Sequence, residues 1–171
     1  MDYLIEEVAR LPQPRPFLQL VGAMDKNSPT VLALAERLLG RQGCRACSVP
    51  HQSVFDLYRA ADVFVLASLQ EGFGRVFLEA LSHGLPVLAH RHPVMEFVLG
   101  SEGTFGDLSQ PGQLSALLKQ ALARPLDRES ARRRWESVRA RFSWPVLAPA
   151  YREMFAAAAT RPLPAANQSV R

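Results

Sequence analysis

Two glutamates, two glycines and an arginine crowd one short stretch of this chain, Ser68–Gly84, which reads SLQEGFGRVFLEALSHG. Glu71, Gly72, Phe73, Gly74 and Arg75 are consecutive, and Glu79 lies further into an apolar, helical pattern. Glycines at 72 and 74 let the backbone turn sharply and approach a ligand closely. The first turn of the helix that follows offers unpaired N–H groups and a positive dipole end to an anion. Arg75 at that start is unfavourable beside the dipole unless an anion is there to receive it. The carboxylate of Glu79 can accept two hydrogen bonds from a vicinal diol such as a ribose, and Glu71 in the loop can do the same for another hydroxylated group. Phosphate between two sets of hydroxyls describes a nucleotide sugar. An ordinary βα loop followed by an exposed helix glutamate fits the same residues, and no third glycine completes a G-x-G-x-x-G pattern.

The elements that must position these residues alternate. Short apolar runs at PFLQLVGA, CRACSV, DVFVLAS, LPVLAH and TFGD read as strands. Between them, SPTVLALAERLLG carries Ser28 as N-cap, Pro29 at the first helical position and Gly40 as stop. SVFDLYRAA reads as a helix capped by Ser53, RVFLEALSHG as one closed by Gly84, and PVMEFVLG as a short one. Only helices follow, over Gln113–Ala123, Arg128–Arg141 and Pro145–Ala158, before a tail at residues 161–171 expected to be disordered. Such alternation predicts a doubly wound, Rossmann-like α/β domain with a mostly parallel sheet of about five strands and extra C-terminal helices. The nearly continuous apolar run Asp62–Ser68 is expected at its centre. Ligands of such sheets bind outside the carboxyl ends of the strands, where the Glu71–Glu79 stretch falls.

At this point the chain resembles a family. The run ADVFVLASLQEGFGRVFLEALSHGLPVLA is similar to the donor-binding half of retaining GT-B glycosyltransferases, whose hallmark is E-x(7)-E. Glu71-Gly72-Phe73-Gly74, Glu79-Ala80 and Gly84-Leu85-Pro86-Val87 match it; PFLQLVG and FSWPVLAPAYREMF resemble flanking parts more weakly. The resemblance implies that Glu79 holds the ribose hydroxyls and that Glu71 contacts the transferred sugar with the N–H groups of Phe73 and Gly74. It places the diphosphate at the helix N-terminus and the base near Val49. It implies no metal, and the chain has no D-x-D. Arg75 stands where the family is often apolar, so its phosphate role rests on the dipole argument alone.

The chain also departs from that family. Its enzymes have two Rossmann-like domains around a cleft, and 171 residues fit one. By the resemblance, residues 1–160 form the donor domain without its first strand and without the arginine and lysine that bind the diphosphate; MDYLIEEVARLP looks like the helix after that lysine, and Lys26 is no substitute. The parent protein is therefore expected to be a glycosyltransferase and this chain alone inactive, its partner being an N-terminal acceptor-binding domain or a second copy through the exposed cleft face. A non-catalytic nucleotide-sugar-binding or interaction protein and a sugar-nucleotide epimerase fragment remain open. A receiver-type signalling domain lacks its clustered acids.

Composition narrows the rest. The chain is 48% hydrophobic and 21% charged, ordinary for a protein with a core. No run is long and apolar enough to span a bilayer, and the acidic N-terminus is unlike a signal peptide, so a cytoplasmic location is expected. The net charge of +4 is uneven, with 10 arginines against 4 acids after residue 123. A solvated helix face explains RESARRRWESVRARF; an anionic membrane surface, or less readily nucleic acid, would also suit it. Cys44 and Cys47 form CxxC inside a strand-like run, which suits two reduced thiols better than a redox or zinc site. His83, His90 and His92 lie in or near βα loops, where a polar loop is the simpler reading.

Overall fold

The computed structural model describes residues 1–160; the tail expected to be disordered, residues 161–171, lies outside the described residues. Among the described residues, five strands alternate with α-helices, and three helices close the order: α1 (Asp2–Ala9), β1 (Leu18–Val21), α2 (Ser28–Leu39), β2 (Cys44–Cys47), α3 (His51–Ala60), β3 (Phe64–Leu66), α4 (Arg75–Ser82), β4 (Val87–His90), α5 (Pro93–Leu99), β5 (Gly103–Gly106), α6 (Gln113–Leu122), α7 (Arg128–Phe142) and α8 (Trp144–Thr160). All strand pairs are parallel, as the alternation predicts. They form two hydrogen-bonded groups, β1-β2 and β3-β4-β5.

Two apolar clusters sandwich the strands, because successive strand side chains point to opposite faces. On one face α1, α2 and α6 bury Leu4, Ile5, Val8, Ala35, Leu114 and Leu118 against Leu18, Leu20, Cys44, Ala46, Val65 and Leu88. On the other, α3, α4, α5 and α7 bring Tyr58, Phe77, Leu81, Met95, Leu99 and Val138 against Phe64, Leu66, Val87, Ala89 and Phe105. The doubly covered strand is β4, whose Val87, Leu88 and Ala89 are fully buried.

That differs from the expectation of a central Asp62–Ser68. The apolar run is there, but only three of its residues pair, with β4 alone, and all three are half-buried. An apolar run reports covered faces; it does not report how many neighbours a strand has. Helix starts also shift. Asn27 rather than Ser28 flanks α2, and α3 begins at His51 after Pro50, so Ser53 lies inside it.

Candidate functional site

The Glu71–Glu79 stretch leaves the carboxyl end of β3 and turns into α4 at Gly74. Gly74 is left-handed, with φ 71° and ψ 57°. A Cβ there would stand 2.5 Å from the Phe77 ring, so both conformation and space demand glycine. Gly72 differs from expectation: its φ is not positive, and a Cβ would meet nothing within 4 Å. No side chain caps α4, so its first N–H groups face outward with Arg75 exposed beside them. Phe73 is 38% exposed, one edge against Phe142 at 5.8 Å. Glu71 is half-buried in the loop.

Glu79, one turn into α4, is not a bare carboxylate. The Tyr58 hydroxyl of α3 donates to its Oε2 at 3.1 Å, leaving Oε1 for another donor. Burial, then the Glu79 charge and that hydrogen bond, push the Tyr58 hydroxyl well above its usual range, so it stays a donor. His83 lies one turn below Glu79. Its ring stacks 5.5 Å from Phe55 and 5.3 Å from Tyr58, and its Nδ1 is 2.8 Å from the Glu79 carbonyl oxygen. This α3–α4 brace escaped the sequence reading. Its signals were the Tyr in DLYRAADVF and the i, i+4 spacing of Glu79 and His83.

The remaining predicted residues separate. Val49 sits half-buried in the link from β2 to α3. His90 accepts the Leu108 N–H at 3.0 Å, and His92 caps α5 by accepting from Val94 N–H. Both act in loop architecture. Glu96 pairs with Arg91 at 2.7 Å. Cys44 and Cys47 are free and face opposite sides of β2, Cys44 toward the α1–α2 core and Cys47 beside Gln19. Among the described residues no three His, Cys, Asp or Glu converge as a metal site would need. A cleft of about 550 Å³ opens elsewhere, at the carboxyl ends of β1 and β2. The Glu71–Glu79 stretch contributes nothing to that cleft; Gly72, Phe73 and Arg75 are exposed, while Glu71 and Glu79 are half-buried.

Two arginines of α7 turn to the protein and two pair with carboxylates. Arg134 donates to the Gly84 carbonyl at 2.9 Å and Arg141 to that of Val98 at 3.1 Å. Arg132 pairs with Glu136 at 2.7 Å and Arg133 with Glu102 at 3.1 Å. Arg128, Arg132, Arg133 and Arg139 are exposed, as the sequence reading had that face, while Arg134 and Arg141 tie α7 to the end of α4 and to α5. No helix among the described residues is long and apolar enough to cross a membrane.

Parallel strands under two helical layers, with an acidic, glycine-broken loop at a strand end, make this an α/β domain of the kind found in GT-B glycosyltransferases. Sucrose-phosphate synthase from Thermosynechococcus elongatus superposes with a TM-score of 0.78 at 26% identity, over 91% of this chain and 42% of that one. Anabaena Alr3699/HepE, solved in complex with UDP, shares the fold with a TM-score of 0.76 at 22% identity, over 91% of this chain and 44% of that one. In sequence, the chain is 30% identical over 152 residues to an MMP alpha-(1->4)-mannosyltransferase of Mycolicibacterium hassiacum, covering 84% of this chain and 36% of that protein. It is 36% identical over 96 residues to O-antigen chain mannosyltransferase B of Escherichia coli, covering 56% of this chain and 25% of that protein. The chain belongs to the family of glycosyl transferases group 1, whose model matches residues 1–139. It spans between a quarter and under half of the length of these proteins.

Proposed function

We propose that residues 1–160 form the donor-binding half of a glycosyltransferase that moves a sugar from a nucleotide diphosphate sugar to an acceptor with retention of configuration. One observation carries the reading: Glu71 and Glu79 flank the uncapped start of α4 at the carboxyl end of β3, in a chain of the group 1 family. Glu79, steadied by Tyr58, accepts from the ribose diol. The first N–H groups of α4 and Arg75 meet the diphosphate, where charge builds as the sugar departs. Glu71 and the N–H groups of Phe73 and Gly74 hold the sugar, and the base rests near Val49. In this reading the helix end and the arginine take the leaving charge, and no metal is assigned.

The acceptor site belongs to a second body, so the isolated chain binds donor weakly and transfers nothing. α8 supports this. None of its residues is buried, and Trp144, Val146, Tyr151, Met154 and Phe155 are exposed, the pattern of a face that packs on another half. The reaction then takes place at the inner side of the cell, in solution or at a membrane surface.

Calorimetry with nucleotide sugars tests the site. Glu79→Ala is expected to weaken nucleoside diphosphates about tenfold, by loss of a charged hydrogen bond. Arg75→Ala is expected to weaken diphosphates far more than nucleosides. Unchanged affinity in Glu79→Ala, or equal weakening in Arg75→Ala, refutes the assigned roles. Pairing the chain with an acceptor-binding half is expected to restore transfer, which Glu71→Ala then slows.

A further inference from the structure

Core packing accounts for the ring of Tyr58 and leaves its hydroxyl over. Tyr58 is 6% exposed. Its ring meets Phe64 of β3 edge-on at 5.6 Å and lies beside His83 at 5.3 Å. A phenylalanine would fill that space equally well. The hydroxyl adds a polar group to an otherwise apolar cluster, and burying one is unfavourable unless it finds a partner. Its partner is Glu79 Oε2, 3.1 Å away on α4.

Glu79 is held at both ends. Its backbone carbonyl accepts from the His83 N–H at 3.2 Å and faces the His83 Nδ1 at 2.8 Å. The His83 ring in turn stacks on Phe55 and leans on Tyr58, both of α3. At the other end Tyr58 fixes the carboxylate through Oε2 and leaves Oε1 for another donor. A glutamate on a helix surface turns about several bonds, and ordering it opposes every hydrogen bond it makes. Here α3 has done the ordering before a ligand arrives. Burial, then the Glu79 charge, raises the Tyr58 hydroxyl far above its usual range, so this brace keeps its proton at neutral pH.

We propose that Tyr58 is a positioning residue that sets how sharply this site tells ribose from deoxyribose. This role rests on Glu79 accepting from the ribose hydroxyls. With the carboxylate preset, a ribose hydroxyl meets its acceptor in place, and a nucleotide lacking that hydroxyl leaves a half-buried charge without its donor. Without the Tyr58 hydroxyl the carboxylate swings, and a ribonucleotide must order it on binding. A deoxynucleotide that makes no use of the carboxylate loses nothing by that change. A hydroxyl serving only the stability of the α3–α4 contact would act on both ligands alike.

Titration of the 171-residue chain, followed by NMR chemical shifts, tests this. The probes are uridine and guanosine diphosphates and their 2′-deoxy and 3′-deoxy forms, each taken to millimolar concentration. In the native chain the better-bound diphosphate is expected to exceed at least one of its deoxy forms about tenfold in affinity. Tyr58→Phe keeps the ring and is expected to weaken the ribonucleotide about threefold to fivefold while that deoxy form stays within about twofold, so the ratio shrinks. Glu79→Ala is expected to abolish the ratio. If Glu79→Ala abolishes it and Tyr58→Phe leaves it unchanged, weakens both forms alike or fails to fold, the role of Tyr58 is overturned and that of Glu79 stands. If the native chain binds neither form or both alike, or the ratio survives Glu79→Ala, the ribose reading of Glu79 falls and the role of Tyr58 with it.

Discussion

Replacing Glu7 by alanine should cost more than any surface change in this protein. Glu7 is 1% exposed, on the buried side of α1. Its carboxylate accepts from the N–H groups of Gly112 at 2.7 Å and Ser115 at 2.9 Å and from the Ser115 hydroxyl at 2.7 Å, and it meets Arg10 at 3.0 Å. It therefore caps the start of α6 from 105 residues away. Truncation leaves two backbone donors at the head of α6 without their acceptor, at about 1–3 kcal/mol each. The Arg10 contact, half in solvent, adds under about 1 kcal/mol. The sum is about 2–7 kcal/mol, or on the order of 10 °C in melting temperature for a domain of this size. Glu7→Gln keeps one acceptor and should lose about half of that. The sign with pH follows from the same contacts. Burial raises the Glu7 carboxyl, but the hydrogen bonds from Gly112 and Ser115 and the charge of Arg10 outweigh it and hold it below its ordinary 4.5. Its contribution is fully present above that ordinary value and is lost as pH falls through the lowered one. Urea denaturation followed by circular dichroism, at neutral pH and in steps below pH 5, measures both effects. A loss under 1 kcal/mol in Glu7→Ala, or an acid slope unchanged in Glu7→Gln, refutes the reasoning.

Other substitutions probe the site and its supports. Gly74→Ala meets both a left-handed backbone and the Phe77 ring and is expected to lose about 1–3 kcal/mol, read by denaturation, with donor binding lost in parallel. Tyr58→Phe is expected to lose about 1 kcal/mol and, in an alkaline absorbance titration, to remove a tyrosine that ionises above its usual range. Arg134→Leu removes the tie from α7 to the Gly84 carbonyl and is expected to speed proteolysis of α7 and α8 before it changes the melting of the sheet.

Local signals in the sequence carried far, and their range marks where they stopped. Gly40 and Gly84 closed their helices where expected because a positive φ is a one-residue requirement. The Glu71–Glu79 spacing placed a loop and a helix because β3, the turn and α4 are contiguous. Strand order was out of reach: the apolar patterns of DVFVLAS and LPVLAH are alike, and only pairing distinguishes the buried β4 from the half-paired β3. Partners distant in sequence were equally hidden. Nothing near Glu7 announces Gly112, and nothing near Glu79 separates a free carboxylate from one held by Tyr58, 21 residues earlier. Arg134 and Arg141 of α7 read as part of a solvated charge run because their acceptors, the carbonyls of Gly84, Phe97 and Val98, belong to other elements.

The placing of α8 decides what light sees in this molecule. The chain has two tryptophans, Trp135 on α7 under Arg139 at 5.2 Å and Trp144 at the head of α8 beside Tyr151 at 5.7 Å. Both belong to α7 and α8 and are exposed. Intrinsic fluorescence therefore reports first on the C-terminal helices, and α8, a long helix with nothing buried, is free to open locally at little cost. Emission from Trp144 should shift on binding a partner at that face while leaving the sheet silent, and on heating it should change before the circular dichroism of the core does.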